Sequence, residues 1–244
     1  MTEYPVMLGG IPLEIPLRYE ECIQSLEQFH TDAAPVARME LIPQEHLEKE
    51  RPYYTEGMAD WLLECNELPF AASNALLPYG RCLFHGVAFV WQGQAWIWTA
   101  PPGIGKTTQY ILWKLRYGDE VKILNGDKPL LECRADGSVW VHPSPWRGKE
   151  NIGRMESAPL GGIICLAQRP ENRIELLSPR RAAAMVYRQF LYWPENEDIV
   201  DRVCAMAEQI LRRTPVWFLP NRGDDASAQL THDTITEWRK EHAL

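Results

Sequence analysis

The period of the apolar positions changes repeatedly along this chain, and each change marks an element. Leu83-Phe84-His85-Gly86-Val87-Ala88-Phe89-Val90-Trp91 reads as one buried strand. Ala95-Trp96-Ile97-Trp98-Thr99, aromatic and β-branched, reads as a second, and Gln92-Gly93-Gln94 is the turn of the hairpin joining them. The period then becomes helical: Thr108, Ile111, Leu112 and Leu115 share one face of a helix over Thr107 to Tyr117, which Gly118 stops. Val121-Lys122-Ile123-Leu124 returns to strand. Leu130 to Cys133 and Val139 to His142 flank the hairpin turn Ala135-Asp136-Gly137-Ser138, and Gly161 to Ala167 and Arg173 to Leu177 are further strands. Ser178 as N-cap and Pro179 at the first position open a helix; helices extend to Trp193 and from Glu195 to Arg213. Val216 to Leu219 is a late strand, and a last helix starts near Thr231.

The first 75 residues follow a different rule. Short apolar runs, Val6-Met7-Leu8 and Ile11 to Ile15, precede an acidic helical segment from Tyr19 to His30. Gln44 to Arg51 forms a short helix and Met58 to Glu64 a further element, with prolines at 5, 12, 16, 35, 43, 52 and 69 cutting the region into pieces. The pattern predicts a small N-terminal α+β lobe over residues 1–75 and an α/β domain with a mixed, strand-rich sheet over 76–244.

Between the hairpin and the helix lies Ala100-Pro101-Pro102-Gly103-Ile104-Gly105-Lys106-Thr107-Thr108. It fits the phosphate-binding pattern G-x-x-x-x-G-K-[ST] with Ala at the first position. Glycines let backbone N–H groups turn inward around a polyphosphate. Lys106 reaches the β- and γ-phosphates, and the Thr107 hydroxyl is placed to ligate Mg²⁺. A strand before and a helix after are the context the motif needs. Pro102, Gly103, Ile104, Gly105, Lys106, Thr107 and Thr108 are therefore the candidate residues for binding ATP. Further on, Asn125-Gly126-Asp127-Lys128-Pro129 ends a strand, and an Asp there can hold Mg²⁺.

The order of a His-Gly strand, a turn, a strand, the glycine loop and a helix resembles the catalytic domain of HPr kinase/phosphorylase, which shares its core with ATP-dependent phosphoenolpyruvate carboxykinase. The resemblance spans roughly residues 80 to 230 and rests most on His85-Gly86 and Gly103-Ile104-Gly105-Lys106-Thr107. It implies an ATP- and Mg²⁺-dependent kinase acting on a hydroxyl, such as a serine of a protein or peptide, or on a small hydroxylated metabolite. At the position of Asp127 that family carries paired aspartates, one for the metal and one for the proton of the attacking serine. Here Lys128 follows instead. Asp127 is then base, metal ligand or both, with His85 as the second candidate for the proton. The departure, and the lack of the usual N-terminal domain, count against HPr itself as substrate and against phosphorolysis. They leave open a module that senses ATP without turnover. A carboxykinase-like enzyme would need several metal-ligating residues, and the histidines at 30, 46, 85, 142, 232 and 242 show no such spacing.

The loop Pro143 to Ser157 contains Pro145-Trp146-Arg147-Gly148-Lys149-Glu150 and then Arg154. Its cations can stabilise a transferring phosphoryl group or grip an acidic substrate, Arg147 and Lys149 first and Arg154 second. Net charge is −8 with no basic block, so no nucleic-acid partner is expected. The six cysteines show no C-x-x-C, and no zinc site and no disulfide framework are expected. Without an apolar run of spanning length, the expectation is a cytoplasmic protein with no membrane partner, for which a homo-oligomer is compatible.

Overall fold

The structure, a computed structural model, describes residues 1–242. Strands β1 (Thr2–Leu8) and β2 (Ile11–Leu17) form an antiparallel hairpin, and β3 (Ala37–Arg38) adds to β2 in parallel. The prolines do not break this hairpin. The carbonyls of Pro5 and Pro12 accept from Thr31 and Val36, away from the β1–β2 ladder, so their missing N–H groups cost that ladder nothing. Glu20 to Phe29 is helical, in short turns that include α1 (Ile23–Leu26). Helices α2 (Gln44–Glu50) and α3 (Asp60–Leu76) complete the region.

Helix α3 overruns its expected end and carries Pro69 in its interior. Burial of Leu63, Leu68, Ala72 and Leu76 in the core of this region offsets the hydrogen bond that proline removes, a loss of about 3 kcal/mol. Glu64, on the same helix, is fully buried and accepts from the Arg18 and Tyr19 N–H groups, both at 3.1 Å, and from the Arg18 guanidinium at 2.9 Å. One turn on, Glu67 accepts from the Tyr54 hydroxyl at 2.5 Å and bonds His46 at 3.1 Å. Cys22 and Cys65 form a disulfide, where no disulfide framework was expected. Their separation of 43 residues has no motif, and the contact arises only once the turn after β2 packs on α3.

The remaining strands are β4 (Arg81–Phe84), β5 (Val87–Trp91), β6 (Gln94–Thr99), β7 (Lys122–Asn125), β8 (Leu130–Cys133), β9 (Val139–His142), β10 (Ala158–Gln168), β11 (Glu175–Leu176), β12 (Phe190–Leu191) and β13 (Val216–Asn221). They form a mixed 10-stranded sheet ordered β12-β4-β8-β9-β10-β6-β5-β7, with β13 pairing β10 and β11. Strand β10 joins its halves: Ala158 and Pro159 pair antiparallel with β9, and the rest lies parallel to β6 and β13. The partner changes after Pro159, and the register with β6 shifts at Gly161-Gly162, over which the Trp96 and Trp217 rings lie; a Cβ on Gly162 would sit 2.5 Å from Trp217. The single strand expected over Leu83 to Trp91 is in fact two, β4 and β5, in different halves. The break falls at His85-Gly86, whose N–H groups leave the ladder for Gln189 O and Asp127 O.

Alternation along β5 and β6 sends Ala88, Ala95 and Ile97 to one core and Phe89, Trp96 and Trp98 to another. The first is covered by α5 (Pro179–Val186) and α6 (Glu197–Arg213), the second by α4 (Lys106–Tyr117) and α7 (Asp225–Glu241), so the sheet has helices on both faces. Helix α7 starts earlier than expected because Asp224 caps it, accepting from the Ser227 N–H. Ser178 precedes α5 as expected but makes no side-chain cap bond. The expected apolar face of α4 is corrected: Thr108, Ile111 and Leu115 are exposed, and Lys106, Gln109 and Trp113 face inward. Gln109 can take a core position because its amide donates to Asn221 at 3.0 Å and Ser227 at 2.7 Å. Trp113 packs against Phe89 and Trp98, which stack at 3.9 Å.

Candidate functional site

The glycine loop leaves the end of β6 and enters the first turn of α4. Gly103 (φ +80°) and Gly105 (φ +107°) both occupy the left-handed region, which side chains disfavour. No atom lies within 4 Å of where a Cβ on Gly103 would be, and Pro101 to Gly103 are exposed, so the bend opens to solvent. Lys106 is different: it is buried, its Nζ donating to Ala100 O at 2.9 Å and Pro101 O at 3.5 Å. Burial lowers its pKa, Lys128 adds to that, and Asp127 opposes it. Ile104 packs on the α4 core, while Thr107 is half-buried and Thr108 exposed at the start of the helix.

Asp127 sits just past β7, and the turn that carries it is built by Asn125. The Asn125 side-chain oxygen, Oδ1, accepts from the Asp127 N–H at 2.9 Å and the Lys128 N–H at 2.8 Å, while its Nδ2 donates to the main-chain and hydroxyl oxygens of Ser144. This turn folds two adjacent side chains together, and Lys128 Nζ pairs with Asp127 Oδ2. The other oxygen, Oδ1, lies 3.6 Å from His85 Nε2. Three backbone ties fix that approach: Gly86 N–H to Asp127 O, His85 N–H to Gln189 O, and the Thr99 hydroxyl to His85 O. Burial pushes the His85 imidazole down to about 4, with Lys106 acting the same way and Asp127 against it. His85 is thus neutral near pH 7. The structure brings His85, Lys106, Asp127 and Lys128 into one electrostatic cluster at the mouth of the loop.

The segment from Pro143 to Ser157 packs on the same turn: Gly126 N–H bonds Ile152 O, Lys128 N–H bonds Trp146 O, and Asn125 bridges Gly153. Gly148 touches Asp127 so closely that a Cβ there would lie 3.0 Å from that of Asp127. Arg147 is buried, its guanidinium over the Phe29 ring at 5.4 Å and bonded to the Met155 sulfur at 3.3 Å. Lys149 is exposed at the rim. Arg154 is exposed too, and its charge acts on Asp119, just beyond the C-terminal end of α4 rather than at the glycine loop.

The loop, Asp127 and His85, expected from the sequence as site residues, lie together, and Asn125, Ser144 and Gln189, to which no role was assigned there, position them. The one local signal was an Asn two residues before the Asp at a strand end, the pattern of an Asx turn. Among the described residues no group of three or more His, Cys, Asp or Glu side chains could hold a metal ion, and no helix is long and apolar enough to cross a membrane.

No family model matches the chain, and no curated protein matches it either. Among solved structures, that of the Hpr(Ser) kinase/phosphatase from Coxiella burnetii superposes with a TM-score of 0.36 at 10% identity, covering 66% of this chain and 97% of that one. The protein itself is a mixed α/β fold in which a glycine loop, between a strand and a helix, faces a cluster of two lysines, a histidine and a carboxylate.

Proposed function

We propose that this chain is an ATP-dependent kinase that transfers the γ-phosphoryl group to a hydroxyl, such as a serine of a peptide or protein, or a hydroxyl of a small metabolite. The observation that carries the reading is the loop: two left-handed glycines leave an open bend, and its buried lysine is bonded only to carbonyls. That arrangement suits a polyphosphate, to which backbone N–H groups and one ammonium are offered together.

In this reading Gly103 to Thr107 wrap the β-phosphate, and Lys106 shifts from the Ala100 carbonyl to the β- and γ-phosphates. Lys128, across the mouth, adds positive charge where the transferring group passes. The acceptor oxygen attacks the γ-phosphorus, the bond to the bridging oxygen breaks, and ADP departs with the bonding pair. Asp127, through the oxygen that Lys128 leaves free, takes the hydroxyl proton. His85, 3.6 Å away, is the second candidate for that proton. Mg²⁺ fits the donors: one carboxylate, Asp127, and one hydroxyl, Thr107, with phosphate oxygens and water for the remainder. When bound it would supply charge neutralisation on the phosphates. Positioning and electrostatics account for the rate, since little covalent chemistry is asked of the protein.

The pairing of Lys128 with Asp127 favours a second reading, an ATP-binding sensor without turnover, because the carboxylate is partly engaged before any substrate arrives. The test is incubation with ATP and Mg²⁺ against serine peptides and hydroxylated metabolites, read by mass spectrometry for an added phosphate, with Lys106→Ala as control. Transfer by the wild type alone supports the kinase. ATP binding with no transfer supports the sensor, and the absence of both overturns each.

A further inference from the structure

Two Lys or Arg side chains are buried among the described residues, Lys106 at 8% exposure and Arg147 at 7%. Three further cations that reach inward have carboxylate partners: Arg18 has Glu64, Arg81 has Glu132, and Lys128 has Asp127. Among the described residues Lys106 and Arg147 have none within hydrogen-bond distance. The Lys106 ammonium faces carbonyls. Arg147 has a single hydrogen bond, to the thioether of Met155, and its buried Nε has no partner at all. Burial lowers its pKa.

A buried cation without an anion is costly to maintain, so buried charges are normally paired. For Lys106 the reason is at hand, since a triphosphate completes the site. The same reasoning applied to Arg147 requires a second anion, delivered from outside. Its place in the fold says which. Arg147 precedes Gly148, whose Cα packs on Asp127, and its guanidinium is capped by Phe29 from the N-terminal region. An anion held there is at the junction of that region with the Asp127 turn, the side from which the kinase reading brings the acceptor to its base.

We propose that Arg147 anchors a carboxylate of the phosphate acceptor, so that the substrate is an acidic peptide with Glu or Asp close to its serine. The proposal rests on the kinase reading for the word acceptor, but the binding it describes does not need turnover. The planar guanidinium suits a carboxylate, which accepts two parallel N–H bonds from it.

The test uses two fluorescein-labelled serine peptides, identical except that Glu residues beside the serine in one are Gln in the other. Binding to the full chain is followed by anisotropy without ATP, and transfer is followed separately with ATP and Mg²⁺. The wild type should bind the Glu peptide about 10-fold or more tightly, as a charge-assisted bond in a buried site allows. Arg147→Met should bring the two peptides within about 2-fold of each other, with ATP affinity unchanged, and Arg147→Lys should recover part of the preference. Equal binding of both peptides by the wild type, or a preference that survives Arg147→Met, overturns the proposal. A wild type that prefers the Glu peptide but neither binds ATP nor transfers phosphate leaves the anion site standing and fails the kinase reading instead. Thermal melts of both variants confirm that the folded protein is compared.

Discussion

The N-terminal region and the glycine-loop end of the sheet bury charge in opposite ways. In the first, the buried charges are acids, and each is saturated from within: Glu64 by Arg18 and two backbone N–H groups, Glu67 by Tyr54 and His46. In the second, the buried charges are cations, and neither Lys106 nor Arg147 is bonded to an acid. Closed networks of the first kind fix one arrangement of the chain. Open ones, in the reading proposed above, are completed by an anion from outside, which would separate a charge held for function from one held for architecture.

The sharpest way to break this contrast is Asp127→Asn. If the loop end is catalytic, transfer should fall by about 10³-fold or more while ATP affinity holds; a sensor would show no activity to lose. Isothermal calorimetry beside a transfer assay separates the two. Next in size is Glu64→Ala. Removing the acid strands Arg18 and two N–H groups, and urea unfolding should show a loss of about 3–5 kcal/mol. A loss under about 1 kcal/mol would put Glu64 with exposed ion pairs instead.

A smaller effect comes from His85. Its folded pKa, about 4, lies below the ordinary 6.5, so in that interval the unfolded chain takes up a proton that the folded chain refuses. The contribution of neutral His85 is therefore whole above pH 6.5, is lost as pH drops through the interval, and levels off below about 4. His85→Asn should lose this part of the pH dependence, visible as a difference between the two Tm-against-pH curves; parallel curves would place the imidazole in solvent. Smallest of all, Arg147→Met should leave the free protein as stable as before or raise it by about 1 kcal/mol, the reverse of Glu64→Ala, because an unpaired buried cation gives way to an apolar chain. A clear destabilisation would mean that Arg147 is bound into the architecture after all.

How much of this could be read from the chain follows from the range of the forces involved. The hairpin β5–β6, the glycine loop and the turn at Asp127 were legible because neighbours set them: a Gln92-Gly93 turn, glycines with positive φ, an Asn capping its own next residues. The split of Leu83 to Trp91 was not legible. Local pattern favours one strand, but His85 is drawn off by Gln189 and Gly86 by Asp127, partners far along the chain. The buried face of α4 was misread for the same reason, since Gln109 counts as polar until Asn221 and Ser227 accept from its Nε2. Nor does anything beside Arg147 in the sequence announce that Phe29 will cover it.

The packing of Trp113 on Phe89 and Trp98 gives this protein a built-in optical gauge. The indoles of Trp98 and Trp113, 5.6 Å apart and steeply inclined, should couple their transitions and leave a signature in near-ultraviolet circular dichroism. Because Trp113 rides on the helix whose first residue is Lys106, a ligand settling in the loop would tilt one chromophore against the other, and occupancy could be followed without any label.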